Sequence, residues 1–129
     1  MNLVAIYWTG TYIVSRIRDR RLWRRRRQFF SARDRVYPSD PLERRIIKTI
    51  ANHFAVDWRR IQPEDRLNTE LLLPDAWLHD HMLSDVLDTL EYFVEEAGGN
   101  AAWNLTDDDI EDISVGSIIA HVRRMLAVS

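Results

Sequence analysis

Residues 78–97, LHDHMLSDVLDTLEYFVEEA, decide the fold. Leu78, Met82, Leu83, Val86, Leu87, Leu90, Phe93, Val94 and Ala97 recur at spacings of three and four, the interval that gathers side chains on one side of an α-helix. Between them stand acidic and polar residues, and Gly98-Gly99 supplies a left-handed stop. The pattern predicts one long amphipathic helix that starts after Asp75 and buries a single apolar stripe. Such a stripe needs other elements to bury against, and the flanking sequence offers them.

Upstream, Asp40-Pro41-Leu42-Glu43 reads as a helix start, with Asp40 as N-cap, Pro41 at the first helical position and Glu43 reaching back to the cap. Ile46, Ile47, Ile50, Ala51 and Phe54 follow at helical spacing, so a helix is expected from Pro41 to Phe54. VDWRRIQPEDRLN, residues 56–68, reads as a loop, because Pro63 prevents a continuous helix; Val56, Ile61 and Leu67 are its expected buried anchors. Downstream, Thr106 can cap a short acidic turn, DDDIED, and Ser114 a last helix whose stripe is Val115, Ile118, Ile119, Val122 and Leu126. Arg123 and Arg124 fall near the end of that helix, where cations are favoured. No stretch alternates with a period of two over the length of a strand. The expected class is all-α, a small four-helix bundle with long loops, preceded by a basic helical extension.

The chain has 129 residues and no cysteine, which excludes disulfides, thiolate metal sites and thiol nucleophiles. Its net charge of −2 hides a division: residues 1–40 carry ten arginines against three aspartates, a net of +7, and the remainder carries −9. Two units are expected, an apolar then Arg-rich arm over residues 1–38 and an acidic helical bundle over 39–129. The boundary falls in Tyr37-Pro38-Ser39-Asp40-Pro41, whose two prolines stop one helix before the next begins.

Residues 3–14, LVAIYWTGTYIV, would make a helix of about 18 Å, short of the ~30 Å needed to cross a bilayer. The positive charges follow this run instead of preceding it, so a secretory signal is not expected. After Ser15, arginines interleave with Trp23, Phe29 and Phe30, and three readings fit. Residues 3–27 can bind an anionic membrane surface, with Arg20, Arg21, Trp23, Arg24, Arg25, Arg26 and Arg27 as the contacting residues. They can bind nucleic acid, the less favoured reading. Or the arm packs on the acidic part of its own chain or on an acidic partner. The expected location is the cytoplasm, with peripheral attachment to the inner face of a membrane under the first reading.

Over roughly residues 42–126 the order of pieces resembles the acyl carrier proteins, the phosphopantetheine-binding family. The residues that carry the resemblance are FAVD with WRRIQPEDRL after it, the acidic LDTLEYFVEE, and above all LTDDDIEDISVGSIIAHV. The resemblance implies a four-helix carrier bundle in which a serine of an Asp-Ser-Leu motif, at the start of the second helix, is esterified by 4′-phosphopantetheine. That motif is not intact here. Counting forward from Leu67, the matching tripeptide is Asp75-Ala76-Trp77; counting back from residues 87–91, the serine position falls on Val86. The registers disagree because the span from Leu67 to Leu105 exceeds the family's by about a dozen residues. Ser84 is the only serine between Ser39 and Ser114, but Leu83 precedes it and the periodicity puts it inside a helix.

The resemblance therefore implies a binding module without a cofactor, not an enzyme, that works through contact with a protein bearing a basic patch. Asp85, Asp88, Glu91 and Glu95, with Asp108 and Asp109 of the acidic turn, are its expected docking residues. Two alternatives stand beside it: a working carrier modified at Ser84, and a lipid- or nucleic-acid-binding adaptor that acts through the Arg-rich arm. Other constellations are weaker. His81, Ser84 and Asp88 share a helical face but lack an oxyanion hole. His79 and His81 are two residues apart, the wrong interval for a helical zinc pair. Asp107, Asp108, Asp109, Glu111 and Asp112 lack the glycine and terminal glutamate of a calcium loop, so no metal site is expected. Trp58, Trp77 and Trp103 are expected to pack.

Overall fold

The Asp40 carboxylate accepts the Leu42 amide at 3.0 Å and satisfies one of the donors that every helix start leaves open. The helix that follows is one of five in the computed structural model, which describes residues 20, 21, 23–71, 76–111 and 113–127; for 76–82, 107 and 111 it describes the backbone alone. In chain order the helices are α1 (residues 23–31), α2 (Pro41–Phe54), α3 (Ala76–Glu96), α4 (Asp107–Glu111) and α5 (Val115–Ala127). A 3₁₀ turn, Trp58–Arg60, lies between α2 and α3. Residues 3–14 lie outside the described residues, and with them the expectation that they bind lipid. An isolated antiparallel bridge joins Arg66 to Ser114, and no strand forms among the described residues, so the class is all-α.

Helices α2, α3 and α5 pack on one another around a single core. Ile46, Ile47, Ile50 and Phe54 of α2, Leu83, Val86, Leu90 and Val94 of α3, and Val115, Ile118 and Val122 of α5 are buried, following the predicted stripes. Ile61, Leu67 and Leu71 fill the core from the loop, whereas Val56 is only half-buried. The loop is stitched to the start of α5: Leu67 donates to the Ile113 carbonyl at 3.0 Å, and Val115 to that of Asp65 at 2.8 Å. Gly98, at φ +84°, makes the left-handed turn that ends α3.

Three details differ from the sequence reading. The α5 stripe closes on Met125, and Leu126 is half-buried, because the α3–α4 connection holds Met125: Asn100 donates to its carbonyl at 3.1 Å and Ala102 to its sulfur at 3.1 Å. Ala97 is exposed, since the chain is already leaving α3 there. Glu43, instead of reaching back to its cap, receives Arg123 Nη2 at 2.8 Å; Asp40 takes the same guanidinium, and the pair ties the end of α5 to the start of α2.

Helix α1 is built into this core. Phe30 is 1% exposed and Arg26 is 5% exposed. The cause lies at the end of α2, where Ala55 turns into the left-handed region at φ 55° and leaves the Phe54 carbonyl without a helical partner. Arg26 Nη1 donates to that carbonyl at 3.0 Å, its Nε donates to the Leu71 carbonyl, and its guanidinium lies 5.0 Å from the Phe54 ring centroid. An arginine suits the place because it supplies several donors in a fixed fork and stays charged when buried. Arg60 returns the favour to α1, donating to the carbonyls of Ser31 at the helix end and Arg33 just beyond it at 2.7 and 2.6 Å. Arg33 in turn pairs with the buried Asp65 at 2.6 Å.

Removing the Arg26 side chain strands two carbonyls and leaves a void. Arg26→Ala should lower the unfolding free energy in urea by about 3 kcal/mol, and Arg26→Lys should recover only part of it. A loss under about 1 kcal/mol in the alanine variant would contradict the structural role given to Arg26.

Candidate functional site

A helix of period 3.6 that turns positions 26 and 30 inward must turn the opposite positions to solvent. Arg20, Arg21, Arg24, Arg25 and Arg27 are all exposed. Trp23, 39% exposed, and Phe29, 44% exposed, flank this basic face on its two sides. Each ring already carries a guanidinium: Arg27 lies 5.0 Å from the Trp23 centroid and Arg33 4.7 Å from that of Phe29. A cleft of about 590 Å³ opens beside Arg25 and Phe29 against Thr69 and Glu70. A second, of about 360 Å³, lies between Trp23, Arg27 and the turn around Asp57 and Arg60. Arg26 is corrected out of the expected contact set, because it is consumed at the end of α2. Its spacing from Trp23, Phe30 and Arg33 was the available signal: the four lie three or four residues apart on one stripe, which a run of four arginines obscured.

Asp57 sits at the edge of the second cleft. It caps the 3₁₀ turn through the Arg59 amide at 3.1 Å and pairs with the Arg59 guanidinium at 3.0 Å. Arg60 and Arg35 lie at 3.5 and 3.9 Å. The Arg59 side-chain bond, ahead of the other contacts, holds the Asp57 carboxyl below its ordinary pKa of 3.8. A carboxyl depressed in the folded state adds stability that is complete above its unfolded pKa and is lost as pH falls through the folded one.

The acidic candidates divide by what they touch. Asp85, Asp88 and Glu95 of α3 are exposed and Glu91 is half-buried; among the described residues none of the four forms an ion pair. Their spacing of three, three and four residues lines them along one side of the helix. Tyr92 stands beside them at 64% exposure, and its hydrogen bond to Glu96 pushes its phenol up from the usual range. Sequence reasoning missed Tyr92, although an aromatic between acidic positions of an amphipathic helix is the signal of an exposed anchor. Asp109 is occupied locally, accepting the Thr106 amide at 3.0 Å while its own amide donates to the Thr106 hydroxyl at 3.2 Å. Those bonds lower its carboxyl pKa, whereas Asp108 is exposed.

Ala76 is the first residue of α3, Ser84 is exposed within that helix, and Val86 is fully buried. Ser84 and Asp88 are exposed on α3, while Trp77, His79 and His81 are described as backbone alone. Trp103 is buried and Trp58 partly so. Among the described residues no cluster of three or more histidines and carboxylates could hold a metal, and no helix is long and apolar enough to cross a membrane. Comparison of the chain with protein-family models, with curated proteins and with solved structures gives no match.

A carbon-13 titration of Asp57 should show a midpoint below 3.8 that moves back toward 3.8 in Arg59→Ala. An unchanged midpoint in that variant would show that Arg59 is not its cause.

Proposed function

We propose that the chain is a carrier-like docking module, similar in helix order to the acyl carrier proteins, that binds a basic patch on a partner protein and holds no phosphopantetheine. The observation that carries this reading is the identity of the first residue of α3. In the family a serine hydroxyl at the start of the second helix bears the prosthetic group, and α3 starts with Ala76, which has a methyl group. The other register fares worse as an attachment point, since Val86 is in the core. Ser84 keeps an exposed hydroxyl, so modification there is the competing outcome.

Docking through α3 is supported by Asp85, Asp88 and Glu95, which are exposed around Tyr92 and unpaired among the described residues. Carboxylates arranged in this way steer a cationic partner and fix its register, while the aromatic supplies buried area at the centre of the contact. The module is proposed to act by binding, not by catalysis.

Incubation with coenzyme A and a broad-specificity phosphopantetheinyl transferase should leave the intact mass unchanged. A gain of one phosphopantetheine group would overturn the reading, and its disappearance in Ser84→Ala would establish the working carrier instead. The triple variant Asp85→Asn, Asp88→Asn, Glu95→Gln should fold normally. It should weaken partner capture in the native host by about tenfold and flatten its salt dependence, whereas unchanged capture would remove α3 as the docking face.

A further inference from the structure

Docking α1 on the bundle leaves five arginines outside it. Arg20, Arg21, Arg24, Arg25 and Arg27 are exposed, and none pairs with a carboxylate among the described residues. No acidic residue occurs from position 20 to position 33. These five like charges fall within the eight positions 20–27 and repel one another. An external surface of negative charge relieves that repulsion.

Two observations distinguish the kind of surface. Nucleic-acid binding by aromatics uses ring faces on which bases stack, and a guanidinium already covers one face of Trp23 and one of Phe29, which halves the faces left for stacking. Directly before the charged stretch the chain carries the uncharged residues 3–14, with Tyr7, Trp8 and Tyr12, side chains that favour the boundary between lipid and water. A polyanion in solution has no use for that segment; a bilayer does.

We propose that the exposed face of α1, with Arg20 and Arg21 just before it, docks the protein on an anionic lipid bilayer. The five arginines lie among the negatively charged headgroups, and Trp23 and Phe29 flank them at headgroup depth. Arg26 and Phe30 fix α1 to the bundle, so the whole module is held at the surface through a rigid helix face. This inference does not depend on the carrier-like reading, since it uses no residue of α3.

The test is sedimentation of the full chain with vesicles of phosphatidylcholine alone or with added phosphatidylserine. Binding is expected only where phosphatidylserine is present. It should be released on raising salt from about 0.1 M to about 1 M, which shortens the screening length from about 10 Å to about 3 Å. Each exposed arginine near such a surface is worth roughly a fivefold change in partition. Arg20→Glu, Arg21→Glu, Arg24→Glu and Arg25→Glu together should therefore reduce binding by more than about a hundredfold. Should that variant fold poorly, the salt titration of the native chain tests the same electrostatic contact. Truncation at residue 37 would strip Phe30 and Arg26 from the core, so removal of residues 3–14 alone is the second variant, expected to keep the dependence on phosphatidylserine and salt. The proposal is overturned by salt-resistant binding to phosphatidylcholine alone, by complete loss on removing residues 3–14, by undiminished binding of the quadruple variant, or by single-stranded RNA displacing the vesicles.

Discussion

Arg26 puts a charged guanidinium between two backbone carbonyls that no helix can use, that of Phe54 at the end of α2 and that of Leu71 in the loop before α3. Buried carbonyls without donors cost free energy comparable to a lost hydrogen bond, and a buried cation without acceptors costs more. Each cancels the other's deficit here. The same contact fixes the rotation of α1, because once position 26 faces inward Phe30 follows it into the core and Arg24, Arg25 and Arg27 face water. The basic surface, the position of Phe30 and the closure of the loop on α2 all depend on it.

The two charged faces follow from this division of arginines. A chain with a net charge of −2 presents an exposed cationic helix and an exposed acidic helix, and the arginines that bind internally do so mainly to carbonyls and to loop aspartates. Arg33 takes Asp65, Arg35 and Arg60 approach Asp57, and Arg123 takes Asp40 and Glu43. Among the described residues, Asp85, Asp88, Glu91 and Glu95 of α3 are left out of these pairs. Each face is therefore available to a partner of opposite sign, and at ordinary ionic strength each acts over only about 8 Å, so both are contact surfaces more than long-range fields.

Much of the fold was legible because its helices are amphipathic and capped. Asp40, Pro41 and the stripe from Ile46 to Phe54 defined α2, and Gly98 marked the end of α3, since these signals are local and each has one physical meaning. The placement of α1 was not legible in the same way. Arg26 is charged, and charged side chains are almost never buried unless something distant pairs with them. The stripe it shares with Trp23, Phe30 and Arg33 marks an inward face, but its acceptors lie 28 and 45 residues away, so nothing local says what that face meets. Of the candidate surfaces, the acidic stripe could be read from spacing alone. Tyr92 stands among the same acidic positions and shares their signal, but its degree of exposure is decided by how α3 turns against α2 and α5. Asp109 carries the charge of a docking residue, but its neighbour Thr106 assigns it to a cap.

Native-state hydrogen exchange of the backbone amides in residues 26–31 tests the account most directly, because it asks whether α1 belongs to the cooperative fold. If Arg26 and Phe30 join it to the bundle, these amides open only with the whole domain, and their exchange free energies equal those of the buried turns of α2 and α5. Exchange near the rates of an unfolded peptide, while α2 and α5 stay protected, would show a loosely attached arm and contradict the account.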